Sequence, residues 1–439
     1  MVKPSKQSLW AAYWESMTLE SLELLEFELL QEQLHYMYDR SEFYRSQLAL
    51  AGLRVGDITD RSVLSRVPLT EKRQLAEYQR QGDLFGPHQC APLEDIIRVV
   101  GTGGTSGLPM RLGWTRNDVE IYSEMGARAL WTAGVRPTDF FINCFNYSIY
   151  AGGVMDHISF ERIGASILPY GVGNSSRLLQ MLLDIRTPLS LYSTPSYAVR
   201  LAEVAEQQRV DRDGIGFVKA VFSGEAGLQV SGYRDRIEQL WNMTTKDLFG
   251  LAELGVQSAE CEYRQGMHYS GAGFVFLEII DSTTRAPLAL EDGVIGEAVY
   301  STLRREACPL LRFRSHDLVQ LFTKPCDCGR SSPRLKILGR TDDMFVVKGV
   351  NVFPLAIQQV LTNLLPTVTG EFQIVLSKPP PFDYAPLLIV EKDRGDEKQI
   401  RGLVKEAIRM QLGITFDVQV TDQGTIVSEH KTQRVLRKY

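Results

Sequence analysis

A short polar segment, residues 339–343 (GRTDD), divides this chain of 439 residues into two unequal parts. After it, residues 344–348 and 350–353 flank Gly349 as strands flank the turn of a β-hairpin, and Pro354 stands where a helix can begin. The pattern continues with two strand-like runs, a helix and a last strand, at residues 372–376, 387–390, 400–408 and around 418. This βαββαβ order over about 100 residues predicts a separate small domain.

The longer N-terminal part alternates between two kinds of pattern. Short apolar runs at residues 217–222, 274–280 and 294–300 stand between helical stretches and glycine-rich turns. Apolar residues at mixed three- and four-residue spacing predict a packing helix over residues 19–50. We therefore expect an α/β protein with a large, multi-layer domain (1–340) and a small, mobile α+β domain (341–439), joined at the polar segment.

Composition and charge exclude several classes of protein. Hydrophobic residues make up 44% and charged residues 23%, the balance of a chain that buries a large core. A net charge of −5 without a long basic run argues against nucleic-acid binding. The apolar residues 9–12 are too few for a signal peptide, and no apolar run approaches the roughly 20 residues of a membrane helix. We expect a cytoplasmic protein that binds small molecules, with no membrane partner.

A glycine-rich segment follows the first strand-like run. Residues 101–109 read GTGGTSGLP. Glycines allow successive backbone N–H groups to converge on phosphate oxygens, and the Thr and Ser hydroxyls add further donors. The segment is not a Walker A loop, because no Gly-Lys-Ser/Thr follows at the required spacing. A phosphate-binding loop and a plain connecting turn are the two interpretations.

Three other polar segments could bind a nucleotide. The first is DLFGLAE at residues 247–253, preceded by SGEA at 223–226. The second pairs RSHD at 314–317 with the polar segment, since an Asp accepts two hydrogen bonds from a ribose diol and an Arg adds charged donors. The third is EHKTQR at 429–434. Taken singly, they could equally be a solvated loop acid, a surface ion pair and a solvated basic tail.

Six cysteines are too few for a disulfide framework in a chain of this length. Four residues have the spacing of a metal site: Cys261, His268, Cys326 and Cys328. Three thiolates and one imidazole suit a closed, structural Zn²⁺ site. The alternative is two buried thiols plus a redox-labile pair, and Cys90, Cys144 and Cys308 are predicted to be packing residues.

In this order and spacing, the segments resemble the adenylate-forming superfamily, and most closely its phenylacetate–CoA ligase branch. The resemblance runs over nearly the whole chain and includes residues 44–45 (YR), 67–72 (VPLTEK), 150–153 (YAGG), 194–197 (TPSY), 339–344 (GRTDDM) and 349–354 (GVNVFP). It implies two steps. A carboxylate attacks the α-phosphorus of Mg-ATP to give an acyl-adenylate and pyrophosphate, and the thiol of coenzyme A (CoA) then displaces AMP to give a thioester.

The resemblance also implies a role for each motif. The catalytic residues would be Lys431, bridging the carboxylate and the α-phosphate, and Glu253, binding Mg²⁺. The nucleotide-binding residues would be Gly104, Thr105, Ser106, Gly107, Ser223, Gly224, Glu225, Ala226, Phe249, Gly250, Asp317 and Arg340. Asp342 is the hinge position of the family. Rotation there would exchange Lys431 for the loop at Gly349 before thioesterification.

An aromatic acid, such as phenylacetate or a hydroxy- or aminobenzoate, is the implied substrate. Its pocket would be lined by Tyr147, Tyr150, Ala151, Gly152, Gly153, Pro195 and Ser196. Glycines leave room for a flat ring and aromatic side chains stack on it, although the same residues could be core aromatics and tight turns. Three positions depart from the family pattern, and they favour altered substrate use or slow turnover: Leu108 for Lys, Ala252 for a hydroxyl residue and His430 for Gly.

The acyl acceptor and the assembly stay open. CoA is expected, but no distinct CoA-binding signature is present, so a carrier-protein thiol, an amine or a hydroxyl is the alternative. A degenerate nucleotide-binding protein is disfavoured by the retained Glu253, Asp317, Arg340 and Lys431. A homodimer is one option for the assembly.

Overall fold

The structure is a computed structural model that describes residues 9–102, 109–225, 227–230, 232–426 and 433–439. In these ranges, no helix combines the length and the apolar character that crossing a membrane requires. The predicted α/β class is confirmed.

Helices dominate the beginning of the chain. They are α1 (Ala12–Glu15), α2 (Leu19–Arg40), α3 (Glu42–Leu50), α4 (Arg61–Leu64) and α5 (Lys72–Arg80). The single helix predicted over residues 19–50 is wrong at Ser41, whose backbone is extended (φ −128°, ψ 121°). Its amide caps α2 by donating to the Met37 carbonyl, and its hydroxyl donates to the Pro87 carbonyl at 2.8 Å. The turn at Ser41 therefore folds α3 back within the same apolar cluster.

A two-stranded antiparallel sheet flanks the glycine-rich segment. It consists of β1 (Ile96–Gly101) and β2 (Arg111–Thr115), and α6 (Arg116–Thr132) follows directly. A hydrogen bond from the Thr102 amide to the Met110 carbonyl, at 3.0 Å, joins the residues on either side of this segment.

The largest sheet of the described residues has twelve strands in the order β11-β10-β12-β13-β14-β9-β8-β7-β6-β5-β3-β4. Its strands are β3 (Phe140–Asn143), β4 (Ser166–Pro169), β5 (Leu189–Ser193), β6 (Phe217–Phe222), β7 (Thr244–Leu251), β8 (Gly255–Glu260), β9 (Met267–Tyr269), β10 (Val275–Ile280), β11 (Pro287–Leu288), β12 (Ile295–Thr302), β13 (Phe313–Phe322) and β14 (Arg334–Arg340). The strands from β3 to β7 pair in parallel, and those from β7 onward pair antiparallel.

Helices cover both faces of the parallel half. Besides α6, they are α7 (Ala151–Ile163), α8 (Ser175–Leu183), α9 (Pro195–Gln207) and α10 (Tyr233–Trp241). Successive strand residues point to opposite faces, so Leu191 packs with α8, α9 and α10 while Tyr192 packs with α6 and α7. This layering is typical of α/β proteins, whose binding sites lie where parallel strands end.

The C-terminal part has its own sheets and its own apolar cluster. Its elements are β15 (Phe345–Val347), β16 (Val350–Val352), α11 (Pro354–Thr362), β17 (Val368–Leu376), β18 (Leu387–Lys392), α12 (Glu397–Leu412), β19 (Asp417–Thr421) and β20 (Val435–Arg437). The hairpin around Gly349 and the helix opened by Pro354 are confirmed. Strand β20, which pairs with β17 in the order β19-β18-β17-β20, was not predicted, because its short apolar run lies in a basic tail.

Candidate active site

Glu253 lies in the tight turn between β7 and β8. Gly250 permits this turn, because a Cβ there would lie 2.7 Å from the Gly255 carbonyl oxygen. The Glu253 side chain is only 4% exposed, and its Oε1 lies 2.7 Å from Lys72 Nζ. Its backbone carbonyl accepts a hydrogen bond from Arg305 at 2.6 Å. Carboxylate oxygens are ligands that divalent cations prefer, so this turn offers a candidate site for one, with the Lys72 ammonium beside it.

The segment before α5 places Lys72 at this carboxylate. Thr70 lies alongside the beginning of β13: its amide donates to the Arg312 carbonyl at 2.9 Å, and its carbonyl accepts from the Arg314 amide at 3.0 Å. The chain then turns into α5, which begins at Lys72. In the sequence, Lys72 stands out only as part of the 67–72 family segment, and no local pattern indicates its partner Glu253.

Glu71 links the same segment to β13. Its carboxylate accepts from Arg314 Nη1 at 3.1 Å and contacts His316 Nε2 at 3.0 Å. The hydrogen bond from His316 is the main reason that the pKa of Glu71 is lowered to about 2, and Arg314 acts in the same direction against burial. The carboxylate is therefore charged at neutral pH.

The predicted ribose pair is brought together by strand register. Asp317 on β13 stands opposite Arg340 on β14, and Arg340 Nη1 donates to Asp317 Oδ1 at 3.1 Å. Arg340 also donates to both carboxylate oxygens of Asp342, at 3.0 and 2.8 Å. Burial raises the pKa of Asp342, but the bonds and charge of Arg340 outweigh it and leave that pKa below its usual value. In this arrangement the predicted hinge residue is tied to the predicted ribose site.

The predicted adenine segment meets the start of α9. The Ser223 amide donates to the Ser193 carbonyl at 3.1 Å, and Glu225 accepts from the Ser196 amide at 2.6 Å. Burial raises the pKa of Glu225. Pro195 is the first residue of α9 and is buried. The structure thus joins the predicted nucleotide segment to one wall of the predicted acid pocket.

The other wall of that pocket is the loop before α7. The Tyr147 hydroxyl accepts from Asn143 Nδ2 at 2.7 Å and lies 2.8 Å from His157 Nδ1. Gly153 accommodates this loop, because a Cβ there would lie 2.3 Å from the Asn146 carbonyl oxygen. Tyr150 caps the N-terminus of α7 and bridges to Gly101, where the glycine-rich segment begins. Ala151 and Gly152, the first residues of α7, complete this side.

A buried carboxylate that no sequence pattern predicts supports this wall. Asp156 on α7 accepts hydrogen bonds from the hydroxyls of Tyr122 and Tyr192, both at 2.6 Å. The ring of Tyr192 packs against Phe145 with 4.7 Å between centroids. No sequence signal marks Asp156, since its partners come from two distant elements.

Comparison with known proteins decides the family. Residues 349–438 match the model of the AMP-binding enzyme C-terminal domain. A phenylacetate-coenzyme A ligase of Thermus thermophilus is 34% identical over 379 residues, which cover 85% of this chain and 82% of that protein. The chain belongs to the phenylacetate–coenzyme A ligase family. A phenylacetate-coenzyme A ligase of Pseudomonas putida is 29% identical over 435 residues, which cover 97% of this chain and 96% of that protein.

A solved relative of this ligase family exists in several states. The crystal structure of 2-hydroxyisobutyryl-CoA ligase in the postadenylation state with R3-HIB-AMP matches with a TM-score of 0.90, at 29% identity over 100% of this chain and 94% of that one. The same enzyme with 2-HIB-AMP and CoA in the thioesterification state matches with a TM-score of 0.73, at 30% identity and the same coverage. The arrangement of this family member therefore resembles the postadenylation state.

The four predicted zinc ligands of this family member converge. The ligand atoms of Cys261, His268, Cys326 and Cys328 lie within 4.8 Å of one another, and all four residues are buried. The Sγ atoms of Cys261 and Cys326 are 3.7 Å apart, and Cys328 Sγ lies 3.3 Å from His268 Nε2. A tetrahedral ion with Zn–S bonds of about 2.3 Å requires about 3.8 Å between sulfurs. The Ser332 hydroxyl, 3.2 Å from His268 Nδ1, orients the ring.

Several predicted site residues lie outside the described residues. They are Gly104, Thr105, Ser106 and Gly107 of the glycine-rich segment, Ala226 of the adenine segment, and Lys431. Their roles remain predictions.

Proposed function

We propose that this phenylacetate–CoA ligase family member adenylates a carboxylic acid with Mg-ATP and then transfers the acyl group to CoA. The observation that carries the proposal is the ion pair between the buried Glu253 and the partly exposed Lys72, at 2.7 Å. Contacts through Glu71 and His316 lead from it to the Asp317–Arg340 pair. The Glu253–Lys72 pair suits a metal-bound polyphosphate, and the Asp317–Arg340 pair suits a ribose diol. Together they fit the two ends of a nucleoside triphosphate.

In the first step, the protein must bring two anions together. Glu253 would hold Mg²⁺, which when bound neutralises phosphate charge. Lys72 lies 2.7 Å from that carboxylate and offers a cation in a chain whose glycine-rich segment has Leu108 where the family has Lys. Lys431 would orient the acid carboxylate against the α-phosphate. Positive charge aimed at the developing charge is the main source of rate enhancement in such transfers.

The acid is proposed to be aromatic. Phe145, Tyr147 and Tyr150 lie on the loop before α7, and the ring of Phe145 lies beside Gly224 of the 223–225 segment. Phe145 already packs against Tyr192, and the hydroxyl of Tyr147 is held between Asn143 and His157. Aromatic faces with few polar groups suit a flat ring. The curated relatives are named phenylacetate-coenzyme A ligases, in agreement with this chemistry.

For the second step, the C-terminal part is proposed to act as a mobile domain. The boundary follows Arg340, so that residues 1–340 and 341–439 move as two bodies about Asp342. The ion pair between Arg340 and Asp342 would be released as the loop at Gly349 replaces Lys431. The different TM-scores against two states of one relative support such a rotation.

A structural zinc ion is proposed for the Cys261, His268, Cys326 and Cys328 cluster. The donor set and its spacing fit a closed tetrahedral site, which leaves no position for a substrate. Bound there, the ion would hold the turn after β13 against β8 and β9. Its role is therefore in stability.

Pyrophosphate release tests the proposed function. The protein is incubated with ATP, Mg²⁺ and one acid at a time, with and without CoA, and the products are identified by mass spectrometry. The acids are phenylacetate, benzoate, hydroxybenzoate, aminobenzoate and 2-hydroxyisobutyrate. Acid-dependent pyrophosphate and an aryl-CoA thioester are expected. Pyrophosphate without a thioester would favour a carrier protein, amine or hydroxyl as acceptor. No acid-dependent pyrophosphate would contradict adenylation.

A further inference from the structure

His316 stands between the proposed ribose site and the proposed hinge. It directly precedes Asp317, and its φ is +65°, in the left-handed region that non-glycine residues rarely adopt. Its carbonyl accepts from the Thr341 amide at 2.8 Å. A residue in such a conformation persists where surrounding contacts hold it, and these residues cluster at functional sites.

Both nitrogens of the His316 ring have partners. Nε2 lies 3.0 Å from Glu71 Oε2, and Nδ1 lies 3.3 Å from Thr341 Oγ1. Glu71 precedes Lys72, and Thr341 precedes Asp342. The imidazole of His316 therefore contacts both Glu71, which precedes Lys72, and Thr341, which precedes the proposed hinge.

The contacts of His316 form part of a closed ring. The Thr341 hydroxyl donates to Glu297 at 2.8 Å, Arg314 donates to both carboxylate oxygens of Glu297 at 2.5 and 3.0 Å, and Arg314 also donates to Glu71. The Glu297 side chain is fully buried. Because the ring closes on itself, moving Thr341 changes the partners of both His316 and Glu297.

We propose that His316 is a positioning residue that couples the hinge to the Lys72–Glu253 pair. The inference rests on the proposed function. In the arrangement seen here, Thr341 completes the ring, which fixes Glu71 and with it the start of α5, so that Lys72 meets Glu253. Rotation about Asp342 breaks its ion pair with Arg340 and shifts the adjoining peptide, so that the contacts of Thr341 with His316 and Glu297 open. Lys72 is then held for adenylation and released for thioesterification.

Two single variants and their double variant test the coupling. Glu71→Gln removes the charge that binds His316, and His316→Asn keeps a residue type that tolerates positive φ. Adenylation is followed as pyrophosphate release at varied Mg²⁺, and thioesterification as conversion of purified acyl-adenylate with CoA. Glu77→Gln is the matched control, because Glu77 is exposed on α5 and contacts Arg80 and Gln81 of the same segment.

Each single variant is expected to lower pyrophosphate release about fivefold and to raise the Mg²⁺ concentration at half-maximal rate. The double variant should be no slower than the slower single variant, because both changes open one ring. Thioesterification should change less than about twofold, and Glu77→Gln should behave as wild type. Losses that multiply in the double variant, or equal losses in both half-reactions, would overturn the coupling.

A substrate-free measurement separates this inference from the proposed function. Urea unfolding of wild type, Glu71→Gln, His316→Asn and the double variant yields the interaction between the two side chains without any acid. Non-additive changes support the ring even if wild type releases no pyrophosphate, in which case adenylation alone is refuted. Strictly additive changes overturn the ring whatever the enzyme assay gives.

Discussion

Lys72 Nζ lies 2.7 Å from Glu253 Oε1, and the two residues come from elements far apart in the chain. Lys72 begins helix α5 beside the start of β13, and Glu253 lies in the turn between β7 and β8. The pair brings a cation to the carboxylate proposed to bind Mg²⁺, in a chain that has Leu108 where related phosphate loops carry Lys. Changing the charge of Lys72 or Glu253 should therefore slow adenylation more than thioesterification.

Lys72→Met is expected to slow adenylation about a hundredfold, since it removes a positive group aimed at the triphosphate. Thioesterification of supplied acyl-adenylate should be nearly unaffected, because pyrophosphate has already left. Stopped assays of each half-reaction measure the two rates separately. Arg80→Gln, which removes an exposed cation from the other end of α5, serves as the control, and an equal loss in that variant would contradict a specific role for Lys72.

Asp342→Pro should spare adenylation and block thioesterification. Proline fixes φ and stiffens the position about which the C-terminal part is proposed to rotate. The two half-reactions are measured as pyrophosphate release and as thioester formation from purified acyl-adenylate. Equal loss of both would show that Asp342 is needed for folding or nucleotide binding and not as a pivot.

The cluster of Cys261, His268, Cys326 and Cys328, proposed to bind zinc, predicts a metal content of one ion for each chain. Cys328→Ser should abolish that content and lower the stability of the fold by several kcal/mol, because binding energy at such sites is folding energy. Elemental analysis and thermal unfolding of wild type and variant are the measurements. Cys90→Ser, which changes a buried cysteine outside the cluster, should retain the ion. A zinc-free wild-type protein of unchanged stability after chelation would refute the site.

Acid sensitivity should report on Glu71. Its pKa is lowered from an ordinary 4.5 to about 2, chiefly by the hydrogen bond from His316. A carboxyl with a lowered folded-state pKa stabilises the fold above its unfolded pKa, and this contribution is lost as the pH falls through the folded value. The stability advantage of wild type over Glu71→Gln should thus shrink as the pH falls from about 5 toward about 2. Urea unfolding of both proteins at each pH measures this difference in the free energy of unfolding. A difference that grows as the pH falls would contradict a lowered pKa for Glu71.

The features predictable from the sequence are those carried by local patterns. The hairpin around Gly349 and the helix opened by Pro354 follow from turn chemistry and apolar spacing. Asp317 and Arg340 were paired through motifs, and strand register brings them together. The Cys and His spacing likewise located a cluster that the structure assembles.

The remaining features depend on tertiary packing. The Lys72–Glu253 pair and the Asp156 network join residues from separate elements, so no periodicity or spacing marks them. Ser41 interrupts an otherwise continuous helical pattern because its side chain and amide find other partners. Strand β20 forms because β17 offers an open edge to a short apolar run.

The most direct test of the two-step account is Lys431→Ala assayed in both half-reactions. The lysine amine is proposed to bridge the acid carboxylate and the α-phosphate, so acid-dependent pyrophosphate release should fall by more than about a hundredfold. Conversion of purified acyl-adenylate and CoA to thioester should continue at a rate close to that of wild type. Pyrophosphate release that survives the substitution unchanged would contradict the account.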